Sequence, residues 1–213
     1  MMVEELSDKK CLKIVIAGDG ATGKTTISKR LNGTFRSDEE LSMTTGLDFH
    51  TLEITEKDGK AVIWDLAGQE QFRSFQDTFF NEADIVILVY SVEWFPSYMN
   101  IDSWLSMIDR DNIFKIYLIA NKIDIENRAI NSDEAQEYAK SRGLHYYELS
   151  ALTGEGLDEF DQDLLITARK MTNRVKDEEI ESHQCIFNDE YIDLFEDTNF
   201  ESKHCNECKE KNL

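Results

Sequence analysis

The chain has 213 residues, 41% of them hydrophobic and 10% aromatic, with a formal net charge of −20. That length suits one well-buried domain of roughly 170 residues with an appendage, and so acidic a balance argues against nucleic acid and anionic membrane surfaces as partners. Four cysteines (Cys11, Cys185, Cys205, Cys208) are too few and too unevenly placed for a disulfide framework, and the acidic N-terminus has no signal-like apolar core, so a reducing, cytoplasmic setting is expected.

Taken in chain order, the pattern alternates strand and helix. Residues 11–17 form a short β-branched apolar run that predicts a buried parallel strand. A helix is expected over 24–33, followed by a polar loop over 34–47. Residues 48–56 alternate like a half-exposed strand and meet 60–65 across Lys57-Asp58-Gly59, a hairpin signal. Continuous apolar runs at 85–90 and 116–120 read as central parallel strands. Helices fall at 97–110 and at 132–142, the latter opening on Asn131 as N-cap with an acidic first turn. A last strand is expected at 145–149 and a last helix over 157–172, with apolar spacing at Leu157, Phe160, Leu164, Leu165 and Ala168. The implied fold class is α/β: a mostly parallel six-stranded sheet with one antiparallel hairpin and helices on both faces. Ligands of such sheets sit at the carboxyl ends of the strands.

The loops at that edge carry chemistry. Residues 18–25 read Gly18, Asp19, Gly20, Ala21, Thr22, Gly23, Lys24, Thr25, a glycine-rich phosphate loop between a strand and a helix. Successive backbone N–H groups and a helix N-terminus there converge on a polyphosphate. Lys24 can reach the β and γ phosphates, and the Thr25 hydroxyl can ligate Mg2+. After the 60–65 strand, Asp65 is placed to contact that cation, Gly68 to offer a bare N–H to a γ-phosphate, and Gln69 to orient an attacking water. After the 116–120 strand come Asn121, Lys122 and Asp124. A carboxylate there can accept from N1 and N2 of guanine, donors that adenine lacks, and a wrong base leaves it unpaired. The Lys122 stem can lie against the base, and Ser150-Ala151 can present a backbone N–H to guanine O6.

These pieces, in this order, resemble the Ras superfamily of small GTPases over about residues 10–173, and within it the Rab branch. Thr-Thr-Gly-Leu-Asp-Phe at 44–49 stands where that branch has Thr-Ile-Gly-Val-Asp-Phe, and Trp-Asp-Leu-Ala-Gly-Gln-Glu at 64–70 resembles its Trp-Asp-Thr-Ala-Gly-Gln-Glu. The resemblance implies a small G domain at 10–173 behind an N-terminal extension (1–9), with GTP and GDP as ligands and Mg2+ as cofactor. Implied nucleotide contacts are Gly18 to Thr26 (Thr26 included), Phe35 beside the guanine ring, Thr44, Asp65, Gly68, Asn121, Lys122, Asp124, Ser150, Ala151 and Leu152. Metal ligands would be Thr25, Thr44 and Asp65; catalysis would rest on Gln69, Lys24 and Thr44. Phe49, Trp64 and Phe80 would form an aromatic triad facing effectors, although plain core packing explains Trp64 and Phe80 as readily. Leu152 departs from the polar residue many relatives carry. No residue reads as a built-in arginine finger, so an activating protein would supply one; exchange-factor and effector proteins are the other implied partners. Two rivals stay open: a GTP-binding scaffold without useful hydrolysis, and a nucleotide kinase sharing the phosphate loop.

The composition changes from residue 174. Residues 177–213 carry twelve acidic residues against three lysines, an acidic tail expected to be solvated. Cys205 and Cys208 lie inside it, forming neither a terminal pair nor a CaaX box, so no direct stable membrane anchor is expected and any recruitment would go through a partner. His204, Cys205 and Cys208 with Cys185 or His183 could make a zinc site, and Tyr191, Leu194 and Phe195 an apolar docking patch.

Overall fold

The computed structural model describes residues 11–38, 43–55, 59–68 and 78–177. Its elements, in chain order, are β1 (Leu12–Ala17), α1 (Lys24–Leu31), β2 (Leu47–Thr55), β3 (Gly59–Leu66), β4 (Ile85–Ser91), α2 (Phe95–Met99), α3 (Ile101–Leu105), β5 (Lys115–Asn121), α4 (Ser132–Ser141), β6 (His145–Leu149) and α5 (Leu157–Asp177). The strands form one six-stranded sheet in the order β2-β3-β1-β4-β5-β6. Among the described residues only β2 and β3 run antiparallel, with Phe49 opposite Trp64 and Asp48 opposite Asp65; the other pairings there are parallel.

The alternation of strand side chains builds two cores. In β4 every residue is buried. Ile85, Ile87 and Val89 pack with Ile27 of α1 and Phe160, Leu164 and Ala168 of α5 on one face. Val86, Leu88 and Tyr90 pack with Trp104 of α3 and Ala135 and Ala139 of α4 on the other. A strand buried on both sides needs no polar alternation, which is why β4 and β5 read as continuous apolar runs. Each fully buried aliphatic side chain contributes about 1.5–3 kcal/mol of transfer free energy.

One expected element is corrected. The single helix over 97–110 is divided at Asn100, which caps both α2 and α3, and helix ends at Leu105. The Asn100 side-chain amide leaves the helix surface to donate to Asp19 Oδ2 at 2.6 Å. The Ser106 hydroxyl bonds back to the Ser103 carbonyl, a local competitor for the next turn. The following residues close in a 3-10 turn at Arg110–Asn112, capped by Asp109. The Asn131 N-cap forms as expected, accepting from the Asp133 N–H at 2.8 Å, while α5 runs five residues past the expected 172.

Candidate functional site

The carboxyl ends of β1, β3, β5 and β6 bring together four loops that are far apart in sequence. In the loop after β1, Gly23 has φ +95°, and a Cβ there would collide with the Asn121 amide nitrogen, so glycine is required both for conformation and for close approach. The Asp19 carbonyl accepts from Lys24 Nζ at 2.8 Å and from Thr22 Oγ1 at 2.9 Å. Gly20 N–H donates to the Gly68 carbonyl at 3.1 Å, and a Cβ on Gly68 would strike the Asp19–Gly20 peptide. The Asp19 carboxylate, buried, is held by Asn100 and by Trp104 Nε1 at 3.0 Å. Nothing in the sequence signalled those two partners, which lie 81 and 85 residues away.

Three oxygens converge beside Lys24. Thr25 Oγ1 lies 2.6 Å from Thr44 Oγ1 and donates to Asp65 Oδ2 at 2.5 Å. Asp65 is fully buried, and its Oδ1 has no hydrogen-bond partner among the described residues. Burial pushes the Asp65 carboxyl up to about 6, against the Thr25 bond and the Lys24 charge, which pull it down. Burial likewise lowers Lys24 to about 8, opposed by Asp65 and Asp19. An orphaned carboxylate oxygen beside two hydroxyls is an all-oxygen donor set, which fits a hard divalent cation that takes its remaining ligands from phosphate and water. Among the described residues no cluster of three His, Cys, Asp or Glu could hold a metal alone, so the protein's own donors suffice only as part of a shared site. His50 also enters this neighbourhood: its Nε2 stands 3.7 Å from Asp48 Oδ2 and 3.9 Å from Asp65 Oδ2. The β2–β3 register that sets Asp48 opposite Asp65 brings it there.

On the other side, Asn121 uses both ends of its amide. Nδ2 donates to the Thr22 carbonyl at 2.7 Å, and Oδ1 accepts from the Ala151 N–H at 2.9 Å. Ser150 Oγ donates to Asp124 Oδ1 at 2.5 Å and accepts from the Thr153 N–H. Lys122 adopts φ +70° and pairs with Glu93 at 2.6 Å, a partner the sequence did not suggest. Thr26 is buried in the first turn of α1. Leu152 is 57% exposed. Phe35 is half-buried, its ring under the Arg30 guanidinium.

The aromatic cluster includes a ring that the sequence reading did not name. Phe49 meets Trp64 edge-on at 4.9 Å, and the Phe79 ring stands against Trp64 at 6.3 Å. Trp64 is 8% and Phe80 4% exposed, both within the core cluster that Phe49 packs against. Two adjacent phenylalanines in a helical turn cannot be told apart by sequence spacing alone. Gln69 lies outside the described residues, as do the tail residues His183, Cys185, Tyr191, Leu194, Phe195, His204, Cys205 and Cys208. No described helix is long and apolar enough to cross a membrane.

Comparison with known proteins bears on this arrangement. The Ras family model matches residues 13–170. The chain is 36% identical over 161 residues to the Ras-related protein Rab7 of Drosophila melanogaster, covering 68% of this chain and 74% of that one. It is 35% identical over 153 residues to the Ras-related protein Rab-18-B of Danio rerio (68% and 73% covered). To the GTP-binding protein YPTM1 of Zea mays it is 36% identical over 153 residues, covering 69% of this chain and 73% of that one.

Proposed function

This chain belongs to the Ras family of small GTPases, on its Rab branch, and from that premise we propose that the residues assembled above run a GTP/GDP-operated switch in membrane traffic or related signalling. It is a GTPase, and guanine nucleotide with regulatory or effector proteins are its partners. In this reading the amides of residues 18–25 and Lys24 hold the β and γ phosphates. Thr25, Thr44 and Asp65 hold Mg2+, which neutralises charge on the phosphate oxygens when bound. Gln69 orients the attacking water and the Gly68 N–H faces the γ-phosphate. Asp124 and the Ala151 N–H read guanine.

Loss of the γ-phosphate frees Thr44 and Gly68, so switch I (about 34–47) and switch II (about 66–79) loosen and effectors lose their surface. An activating protein and an exchange factor would set the two transition rates, and the switch would operate from the cytoplasm. The observation that carries the reading is the Asn121 amide, which joins the phosphate loop at Thr22 to the base-reading loop at Ala151. A site so bracketed suits a ligand gripped at both ends.

The test is competition against labelled GTP in Mg2+. Unlabelled GTP displaces it and ATP at the same concentration does not; Asp124→Ala abolishes the preference, and Gln69→Leu slows single-turnover hydrolysis by about tenfold or more. Equal displacement by ATP would overturn the assignment.

A further inference from the structure

The sequence leaves the wall of the base pocket short of a polar group at Leu152, and the structure supplies one from another element. Arg30 stands in the last turn of α1, where a cation is favoured by the helix dipole. Its Nε donates to the Ala151 carbonyl at 2.7 Å, and its Nη2 donates to the Leu152 carbonyl. The same guanidinium carbon lies 4.0 Å from the centroid of the Phe35 ring. Phe35 itself is tied to α1 by its N–H to the Lys29 carbonyl at 3.0 Å, and Thr34 donates to the same carbonyl at 2.8 Å. One planar cation thus touches the loop after β6 and the start of the segment leading to Thr44. Two carbonyls and a ring face are a combination that the planar fork of arginine can meet at once and a lysine ammonium cannot.

We propose that Arg30 is a positioning residue of the guanine pocket, locking Phe35 and the Ala151–Leu152 carbonyls into one clamp that sets how slowly nucleotide leaves. This rests on the reading of Asp124 and Ala151 as base contacts. Departure of a base held between Phe35 and this loop requires the two walls to part, and Arg30 is the link that resists their parting. Removing the link leaves each wall folded on its own element but independent of the other.

The experiment follows release of fluorescent N-methylanthraniloyl-GDP from the full chain in excess Mg2+ and unlabelled GDP. Arg30→Gln is expected to speed release about tenfold or more, with Arg30→Lys between it and the wild type. Phe35→Leu added to Arg30→Gln should speed release by less than Phe35→Leu does alone, because the clamp is already open. A merely structural role would lower the melting temperature without that coupling. Release from Arg30→Gln within twofold of wild type, or two effects that simply multiply, overturns the clamp. Should Arg30→Gln fail to fold, the same cycle with Arg30→Lys decides it by the same criterion. Wild-type protein that does not retain the labelled GDP at all sinks the guanine-pocket reading itself, a result seen before any variant is compared.

Discussion

Asn121 shows how a single side chain can bear on both stability and function. Its amide is buried and bonds one loop through the Thr22 carbonyl and another through the Ala151 N–H. Asn121→Ala would leave that acceptor and that donor buried without partners, each costing about 1–3 kcal/mol, so a loss of about 2–6 kcal/mol is expected by urea denaturation. An unchanged midpoint would contradict it. Asp124→Ala should behave differently: the Ser150 bond it removes is only part-buried, so guanine affinity falls far more than stability. Both residues were legible in the sequence because Asn and Asp at the end of an apolar run are few and their donors and acceptors are explicit. Arg30, Glu93 and His50 were not. Each acts through a partner brought near by strand pairing or helix packing, and no local pattern distinguishes an arginine that grips two carbonyls from one in water.

The contact between β5 and α5 shows what is legible of an element and what is not. Tyr117 and Phe160 meet edge-on at 5.3 Å, an apolar contact implied by periodicity. Beside it Lys115 Nζ pairs with Asp163 Oδ2 at 2.6 Å, and Tyr117 shares Thr167 Oγ1 at 2.9 Å. Burial raises the Asp163 carboxyl, but hydrogen bonds from Lys115 and Tyr147 and the Lys115 charge outweigh it and hold the group below the ordinary aspartate range. A depressed folded-state value adds stability above the unfolded value, near 3.8, and loses it as pH falls through the folded one. Asp163→Asn should therefore lower the melting temperature at pH 7, by about 1 kcal/mol or a few degrees, with the gap closing below about pH 4. A gap independent of pH would show that charge plays no part. The element boundaries obey the same division. The β4 and β5 runs were plain because both faces are buried, whereas the break at Asn100 coincides with its bond to Asp19, and the Phe79 ring against Trp64 is a contact between elements that no local pattern carries.

At the scale of the molecule, the phosphate loop is stitched to both segments expected to switch. Thr25 meets Thr44, Gly20 N–H reaches the Gly68 carbonyl, and Ala67 N–H donates to Gly46 at 2.8 Å. On the proposed reading, such an assembly senses the γ-phosphate. The arginines whose bonds are defined face elsewhere: Arg30 toward Ala151 and Leu152, Arg110 toward the Arg142 carbonyl, Arg128 toward Glu148, Arg142 toward Asp102 and Arg169 toward Ile54. Among the described residues none of those bonds leads to residues 18–25, where the proposed reading has charge build in the transition state. Single-turnover hydrolysis by the protein alone should accordingly be far slower than about one per second, and a partner contributing an arginine should raise it on the order of 10³–10⁵-fold. The net charge of −20 adds a condition: a partner presenting arginine to so acidic a protein is drawn in by the long-range field, so its association rate should fall as salt rises while the unassisted rate stays nearly constant. Rapid hydrolysis without a partner would mean that the chain supplies its own charge stabilisation.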